Sequence, residues 1–309
     1  MKVYRVKLRP LNSFISQLQA DSLFGAICWV IRYTEGAEKL MAMLSYFDGG
    51  NPPFILSNGY PGDLLPRPLI PPRVRDEKTT KREQLAEARL GKKLKSTLMV
   101  TPQEFVALAR GEKSIPGCKA KEFVVLDLLH AQVNRVTGTT GEGGELFSTT
   151  ERFLNEKAYQ YISVYFKCED EWLEKLEGYF HLMAQTGIGK GRTVGKGAFE
   201  VLGVESFDLF ANSQGNAFIS LSNFVPAVDD PVDGYYKLLV KHGKLGESRS
   251  RHENPFKRPL VMFQAGSAFK TDATLKPYYG KMVKGIAPGT PEVMQYGYAF
   301  AVPAWIGEV

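Results

Sequence analysis

The stretch that most constrains the fold is residues 159–206, where strand, helix, glycine-rich loop and strand follow one another without interruption. "AYQYISVYFKC" sets Tyr159, Tyr161, Val164 and Phe166 among polar residues and reads as a strand. "EDEWLEKLEGYFHLMAQ" then places Trp172, Leu176, Tyr179, Phe180 and Met183 at helical spacing, with acids in the first turn and Gly187 just past the end. "AFEVLGVESF" returns as a strand, alternating through Phe199 and Val201 and, after a slip, Val204. Between helix and strand lies "TGIGKGRTVGKGAF", with five glycines and three cations, Lys190, Arg192 and Lys196, in fourteen positions. A backbone so free of side chains can hug an anion.

The two familiar nucleotide loops do not fit it. The Walker pattern requires a glycine where Lys190 stands and a hydroxyl where Gly197 stands, and the dinucleotide pattern requires a glycine where Arg192 stands. Both run from a strand into a helix N-terminus, whereas this loop follows a helix C-terminus, where the dipole repels phosphate. Binding would therefore rest on backbone N–H groups and the three cations.

The start of the chain repeats the unit. "KVYRVKLRPL" alternates as a strand; "ADSLFGAICWVIRYTEG" reads as a helix capped at Asp21 or Ser22, carrying Leu23, Ile27, Trp29 and Ile31; "FILSN" reads as a strand. Two such units give an α+β fold with a ferredoxin-like βαββαβ domain, the architecture of RNA-recognition modules, over residues 1–206. Within it, residues 67–95 form a basic insertion with ten Lys/Arg against four Asp/Glu, Arg67 and Arg73 among them. Residues 129–147 read as a long hairpin with a glycine-rich tip, in which Val133, Arg135 and Thr137 alternate with Asn134, Val136 and Gly138, and His130 directly precedes it. Residues 207–309 are strand-dominated and read as a second, β-rich domain, a degenerate version of the first.

Charge and composition narrow the partners. The net charge is +6, and residues 237–258 add a second basic block of seven Lys/Arg against two Asp/Glu, so a polyanion is the expected partner. The three cysteines, Cys28, Cys118 and Cys168, lack CxxC spacing, which implies reduced thiols in a cytoplasmic protein and no zinc. No run of about eighteen apolar residues is present and "MKVYRVKLRP" has no apolar signal core, so neither a membrane span nor a secretory leader is expected.

Several motifs together resemble the RAMP superfamily of CRISPR proteins. "GIGKGRTVGKG" is similar to its hallmark loop and "ADSLFGAICW" to its first-helix motif. "LLPRPL", "NRVTGTTGEGGELF", "AGSAF" and "YGYAFAVP", in that order, are similar to the subunit of type III-A (Csm) effector complexes that caps the 5′ end of the guide RNA. The resemblance implies that the anion is the sugar-phosphate backbone of a prokaryotic CRISPR RNA at its repeat-derived 5′ tag. On it, Gly187, Gly189, Gly191, Gly195 and Gly197 let the backbone approach while Lys190, Arg192 and Lys196 pair with phosphates. The hairpin becomes a thumb, with Arg135, Thr137 and His130 toward RNA and Phe147 as a stacking face. The implied protein partners are the large polymerase-like subunit and the backbone RAMP subunit.

Catalysis is not expected, and neither is a cofactor or a metal. Metal-free RNA cleavage needs an acid and a base near the 2′-hydroxyl. Of the four histidines, His181 lies in a helix, His242 and His252 lie in basic loops, and His130 has no second histidine or carboxylate at a telling spacing. Asp229, Asp230 and Asp233 read as a turn, since no glutamate follows at calcium-loop spacing. The alternative reading is a RAMP endoribonuclease that matures or cleaves CRISPR-related RNA, for which His130 would have to matter; an ATP-binding enzyme is a further alternative that the loop spacing argues against.

Overall fold

The computed structural model describes residues 1–69, 80–112, 120–140, 146–210, 214–246, 249, 253–272 and 274–307. Its first strand, β1 (Lys2–Pro10), buries Tyr4, Val6 and Leu8 and turns Arg5 and Lys7 to the other face, the period-2 pattern its sequence carries. α1 (Ala20–Thr34) buries Leu23, Phe24, Ile27 and Ile31 on one stripe. Its N-cap is Gln19, so Asp21 and Ser22 are not the cap; Asp21 sits in the first turn, buried, and ion-pairs with Lys241. Gly36, at φ 95°, breaks the chain before α2 (Ala37–Asp48), which leads to β2 (Phe54–Pro61).

A long excursion follows. It holds β3 (Leu65–Pro66), α3 (Lys81–Ser96), β4 (Met99–Val100), α4 (Pro102–Ala109) and the hairpin strands β5 (Phe123–Ala131) and β6 (Leu146–Leu154). The basic insertion is therefore helical in its second half. α4 starts with a capping box between Thr101 and Glu104 and has proline at its first turn, which fixes where it begins. The hairpin strands pair over nine residues, from Phe123 opposite Leu154 to Ala131 opposite Leu146. Its arms thus flank the alternation read at 133–138, which belongs to neither strand. Arg135 and Thr137 lie in a turn beyond the strand ends, where Val136 N–H donates to Asn134 Oδ1 and Gly138 N–H to Asn134 O.

β7 (Ile162–Cys168), α5 (Asp170–Thr186) and β8 (Phe199–Ser206) reproduce the strand, helix, loop and strand of the sequence. The first sheet has the order β2-β7-β1-β8, antiparallel throughout, with α1 and α5 in contact with each other. The slip in "EVLGVES" is a bulge: Leu8 pairs with Val201 but Lys7 pairs with Gly203, leaving Leu202 out of register.

After it come β9 (Ala217–Ser220), β10 (Gly234–Tyr235), β11 (Leu238–Lys241), β12 (Leu260–Phe263), β13 (Ala268–Lys270), β14 (Tyr278–Gly280) and β15 (Tyr298–Ala304). β10-β13-β9-β15-β14 make a second antiparallel sheet, and β11 and β12 pair as a separate ribbon. The largest apolar core is shared by both sheets, running from Val6, Leu23, Phe47, Phe54 and Phe166 to Ile219, Tyr296, Phe300 and Val302. Among the described residues no helix is long and apolar enough to cross a membrane.

Candidate nucleic-acid interface

The glycine-rich loop begins as the C-cap of α5, where Gly187 N–H donates to Met183 O at 2.9 Å. It then folds back on itself and onto residues 11–16. Ile188 N–H donates to Gly197 O, Gly197 N–H to Ser13 O, Leu11 N–H to Ala198 O and Lys190 N–H to Ser16 Oγ, all within 3.2 Å. Two glycines sit at positive φ with close neighbours, Gly197 against backbone and Gly189 against a serine hydroxyl that would have to turn away. A Cβ on Gly197, at φ 70°, would lie 2.0 Å from Ile188 O, and one on Gly189, at φ 87°, would lie 2.2 Å from Ser16 Oγ. Much of the glycine requirement thus comes from the loop's own fold, with any approach by a ligand added to it.

The three loop cations have different surroundings. Lys190 is exposed, with no carboxylate partner among the described residues; Arg192 is half-buried in a short 3-10 turn, Arg192–Val194. Lys196 is tied to the hairpin: its Nζ donates to Glu151 Oε2 at 2.7 Å, and the Ser13 hydroxyl donates to the same oxygen. Glu151 is buried. Burial works against its ionisation, but hydrogen bonds from Lys196 and Ser13 and the Lys196 charge outweigh it and hold the carboxyl below the usual range. Lys196 therefore meets any phosphate with its charge already matched.

Glu151 also joins the loop to the thumb-like hairpin. Thr149 Oγ1 donates to Glu151 Oε1 at 3.4 Å, and His130 Nε2 lies 2.8 Å from the same hydroxyl. The His130 ring stacks on Phe147 at 5.1 Å. At the hairpin root, Phe14 and Arg152 exchange both backbone hydrogen bonds at 2.9 Å. Loop, residues 11–18 and hairpin root form one surface. Beside it a small groove of about 130 Å³ is lined by Phe14, Ser16, Met99, Phe123 and Arg152. The Arg152 guanidinium has no carboxylate partner among the described residues. Lys190, Arg192 and Arg152 can attract a polyanion there, while the exposed Phe147 ring offers a face for a base.

No protein-family model matches the sequence, and no curated protein does. Solved structures match it end to end. A chain of the Csm1-Csm4 cassette in complex with AMPPNP aligns at a TM-score of 0.66 and 21% identity, covering 100% of both chains. The same cassette in complex with pppApA aligns at 0.65 and 20%, again over 100% of both. A chain of the Csm3-Csm4 subcomplex in the type III-A CRISPR-Cas interference complex aligns at 0.56 and 19%, covering 98% of this chain and 99% of that one. The subunit common to these assemblies is Csm4. This chain shares the fold of these Csm4-containing structures.

Other predicted site residues do not join this surface among the described residues. Arg67 is half-buried and bound to its own neighbourhood, with Nε on Thr97 O and Nη1 on Pro68 O, both at 3.1 Å. Arg73 lies outside the described residues, as do His252, Cys118 and the hairpin tip at 141–145. Arg135 and Thr137 are exposed at the far end of the hairpin. His181 and His242 are exposed. Asp230 does shape a turn, accepting from Ala227 N–H and Gly280 N–H. No group of three metal-ligating side chains occurs among the described residues. Sequence reasoning missed Ser13, Glu151 and Arg152. The hairpin register carries the missing signal, because pairing His130 with Phe147 puts Thr149 and Glu151 on the same face as His130.

Proposed function

We propose that the chain is a non-catalytic RNA-binding and assembly subunit of a type III-A CRISPR effector complex. It holds the repeat-derived 5′ tag of the guide RNA on the surface made by the glycine-rich loop, residues 11–18 and the hairpin, and bridges the large polymerase-like subunit to the backbone RAMP subunit. The observation that carries this reading is the docking of the loop onto the hairpin root through Lys196, Glu151 and Ser13, which gathers Lys190, Arg192, Arg152, His130 and Phe147 along one path. Lys190, Arg192 and Arg152 supply phosphate contacts, and the exposed Phe147 receives an unstacked base. Arg135 and Thr137 reach the strand farther along. Binding partners in the solved neighbours, Csm1 and Csm3, support the bridging role.

The order β2-β7-β1-β8, with α1 after the first strand and α5 before the last, supports a ferredoxin-like reading of residues 1–206 carrying inserted elements, with residues 207–309 as a second unit. The non-catalytic assignment is supported by His130. Its Nε2 is engaged with Thr149, and the nearest carboxylate in that chain of contacts, Glu151, is ionised and bound to Lys196, which leaves it a poor proton donor or acceptor.

The test is to recover the tagged protein from its native cells and sequence the RNA that accompanies it. A population with one repeat-derived 5′ end and varied downstream sequence is expected. Recovery without RNA and without other complex subunits would overturn the reading.

A further inference from the structure

The ribbon of β11 and β12 has one face covered and one bare. On the covered face Met262 is buried, and Lys241 reaches Asp21 at the start of α1. On the other, Leu238 stands opposite Phe263 and Val240 opposite Val261, so the four side chains share a side; Phe263 closes one end of it by packing on Phe224 and Phe269, and the rest is bare. Tyr236 joins them, its ring 4.7 Å from that of Phe263. Leu238 is 57% exposed, Val240 52%, Val261 54% and Tyr236 47%. Exposed apolar side chains scattered singly need no explanation, but four on one face of a two-stranded ribbon mark a surface that something covers.

The residues around this face restrict the occupant. Lys237, Lys244 and Arg258 are exposed with no carboxylate partner among the described residues, and Lys244 lies against the ring of the exposed Phe256. The centre is aliphatic. Bases stack on aromatic or guanidinium planes, which here lie only at the edge, in Tyr236, Phe256 and Arg258, while Leu238, Val240 and Val261 offer none, so the centre suits protein side chains better than RNA. A second copy of this chain would set the same unpaired cations against each other, and the chain's net charge of +6 adds to the repulsion.

We infer that the outer face of the β11–β12 ribbon, centred on Leu238, Val240 and Val261 and rimmed by Lys237, Lys244 and Arg258, docks a different protein subunit through an apolar patch ringed by carboxylates. The inference rests on the proposed role as an assembly subunit and names the surface that role uses. It is separate from the loop and hairpin that would hold RNA.

The experiment compares the full-length chain with Leu238→Asp/Val240→Asp and with Lys237→Glu/Arg258→Glu. Binding is measured separately to the purified large polymerase-like subunit, to the purified backbone RAMP subunit and to a 5′-tagged guide RNA. Because all four positions are exposed, both variants should melt with the wild type. The apolar variant should bind one protein subunit at least about tenfold more weakly, as expected for loss of a central contact. The charge variant should weaken binding to the same subunit, most at low salt, and neither should change affinity for RNA. Wild-type binding of both subunits by both variants would overturn the docking surface while leaving the proposed function standing. Loss of RNA affinity with protein binding intact would reassign the ribbon to nucleic acid and overturn it too. A wild-type chain that binds neither subunit would remove the assembly role and this inference together. A folded wild type that forms a dimer lost in Leu238→Asp/Val240→Asp would make a second copy the occupant, against the inference.

Discussion

The three loop cations differ in what each does, and single substitutions should separate them. Lys190 is exposed and has no carboxylate partner among the described residues, so Lys190→Glu should leave the melting temperature unchanged, weaken RNA binding and lower its salt slope by roughly 0.7, the value for one single-strand phosphate contact. An unchanged slope would remove Lys190 from the phosphate path. Lys196 should behave the opposite way. Lys196→Met leaves the buried Glu151 with hydroxyl partners alone, so the expected readout is a lower melting temperature first and weaker RNA binding as a consequence. The pair also sets an acid limit. Because the folded-state Glu151 carboxyl is held below its ordinary value, its contribution is complete above the unfolded glutamate range and is lost as pH falls toward the depressed value. Acid unfolding of Lys196→Met should therefore be less steep than that of the wild type, and identical acid profiles would show that the pair carries no stability.

At the scale of elements, the hairpin is a paired stem closed by an exposed turn. Its nine-residue pairing ends at Ala131 opposite Leu146, so replacing residues 132–145 with Asn-Gly should close it as a two-residue turn and preserve the stem. The shortened protein should keep its melting temperature and bind tagged RNA more weakly, with a salt slope lower by roughly 0.7 for the lost Arg135 phosphate contact. Retained affinity would mean that Arg135 and Thr137 touch no RNA. The same hairpin shows what local sequence reveals. Strand, helix and glycine loop at 159–206 are legible because their periods and their punctuation are local, and even the slip before Val204 appears as the bulge at Leu202. The extent of the hairpin is not local: its alternation continues in the letters through Val136, while pairing stops at Ala131. α2 is legible only weakly, because its buried face reduces to Met43 and Phe47 while Met41 and Tyr46 are exposed. The contacts that make the site, Ser13 to Glu151 and Glu151 to Lys196, join residues 138 and 45 positions apart and depend on which faces meet after folding.

Over the whole molecule, the two larger sheets are joined by polar contacts set within a shared apolar core. Tyr60 donates to Leu221 O, Tyr298 to Phe47 O, and Leu56 N–H to the Tyr296 hydroxyl at 3.0 Å. Tyr296→Phe removes that acceptor from a buried N–H and should destabilise by about 1–3 kcal/mol, measured by denaturant unfolding; no loss would show that the N–H finds another partner. Lys167 is the more informative link. It rises from β7 to donate to Pro277 O at 2.7 Å and to Ala301 O on β15 at 2.6 Å, and its Nζ lies 4.9 Å from the centre of the Phe300 ring. Burial lowers its pKa from 10.5 to about 8. Below that value the lysine is charged in both the folded and the unfolded chain, and the cost of burying the charge is complete. Between about 8 and 10.5 the folded lysine is neutral while the unfolded one is still protonated, so the unfolded chain binds more protons and this residue's contribution to stability rises with pH. The melting temperature of the wild type minus that of Lys167→Met should therefore shift in favour of the wild type between about pH 7 and about pH 9.5. Other groups titrate in both proteins and cancel in the difference. A difference that does not change with pH would mean that the amine reaches water in the folded chain, leaving Lys167 no pH-dependent part in holding the two sheets together.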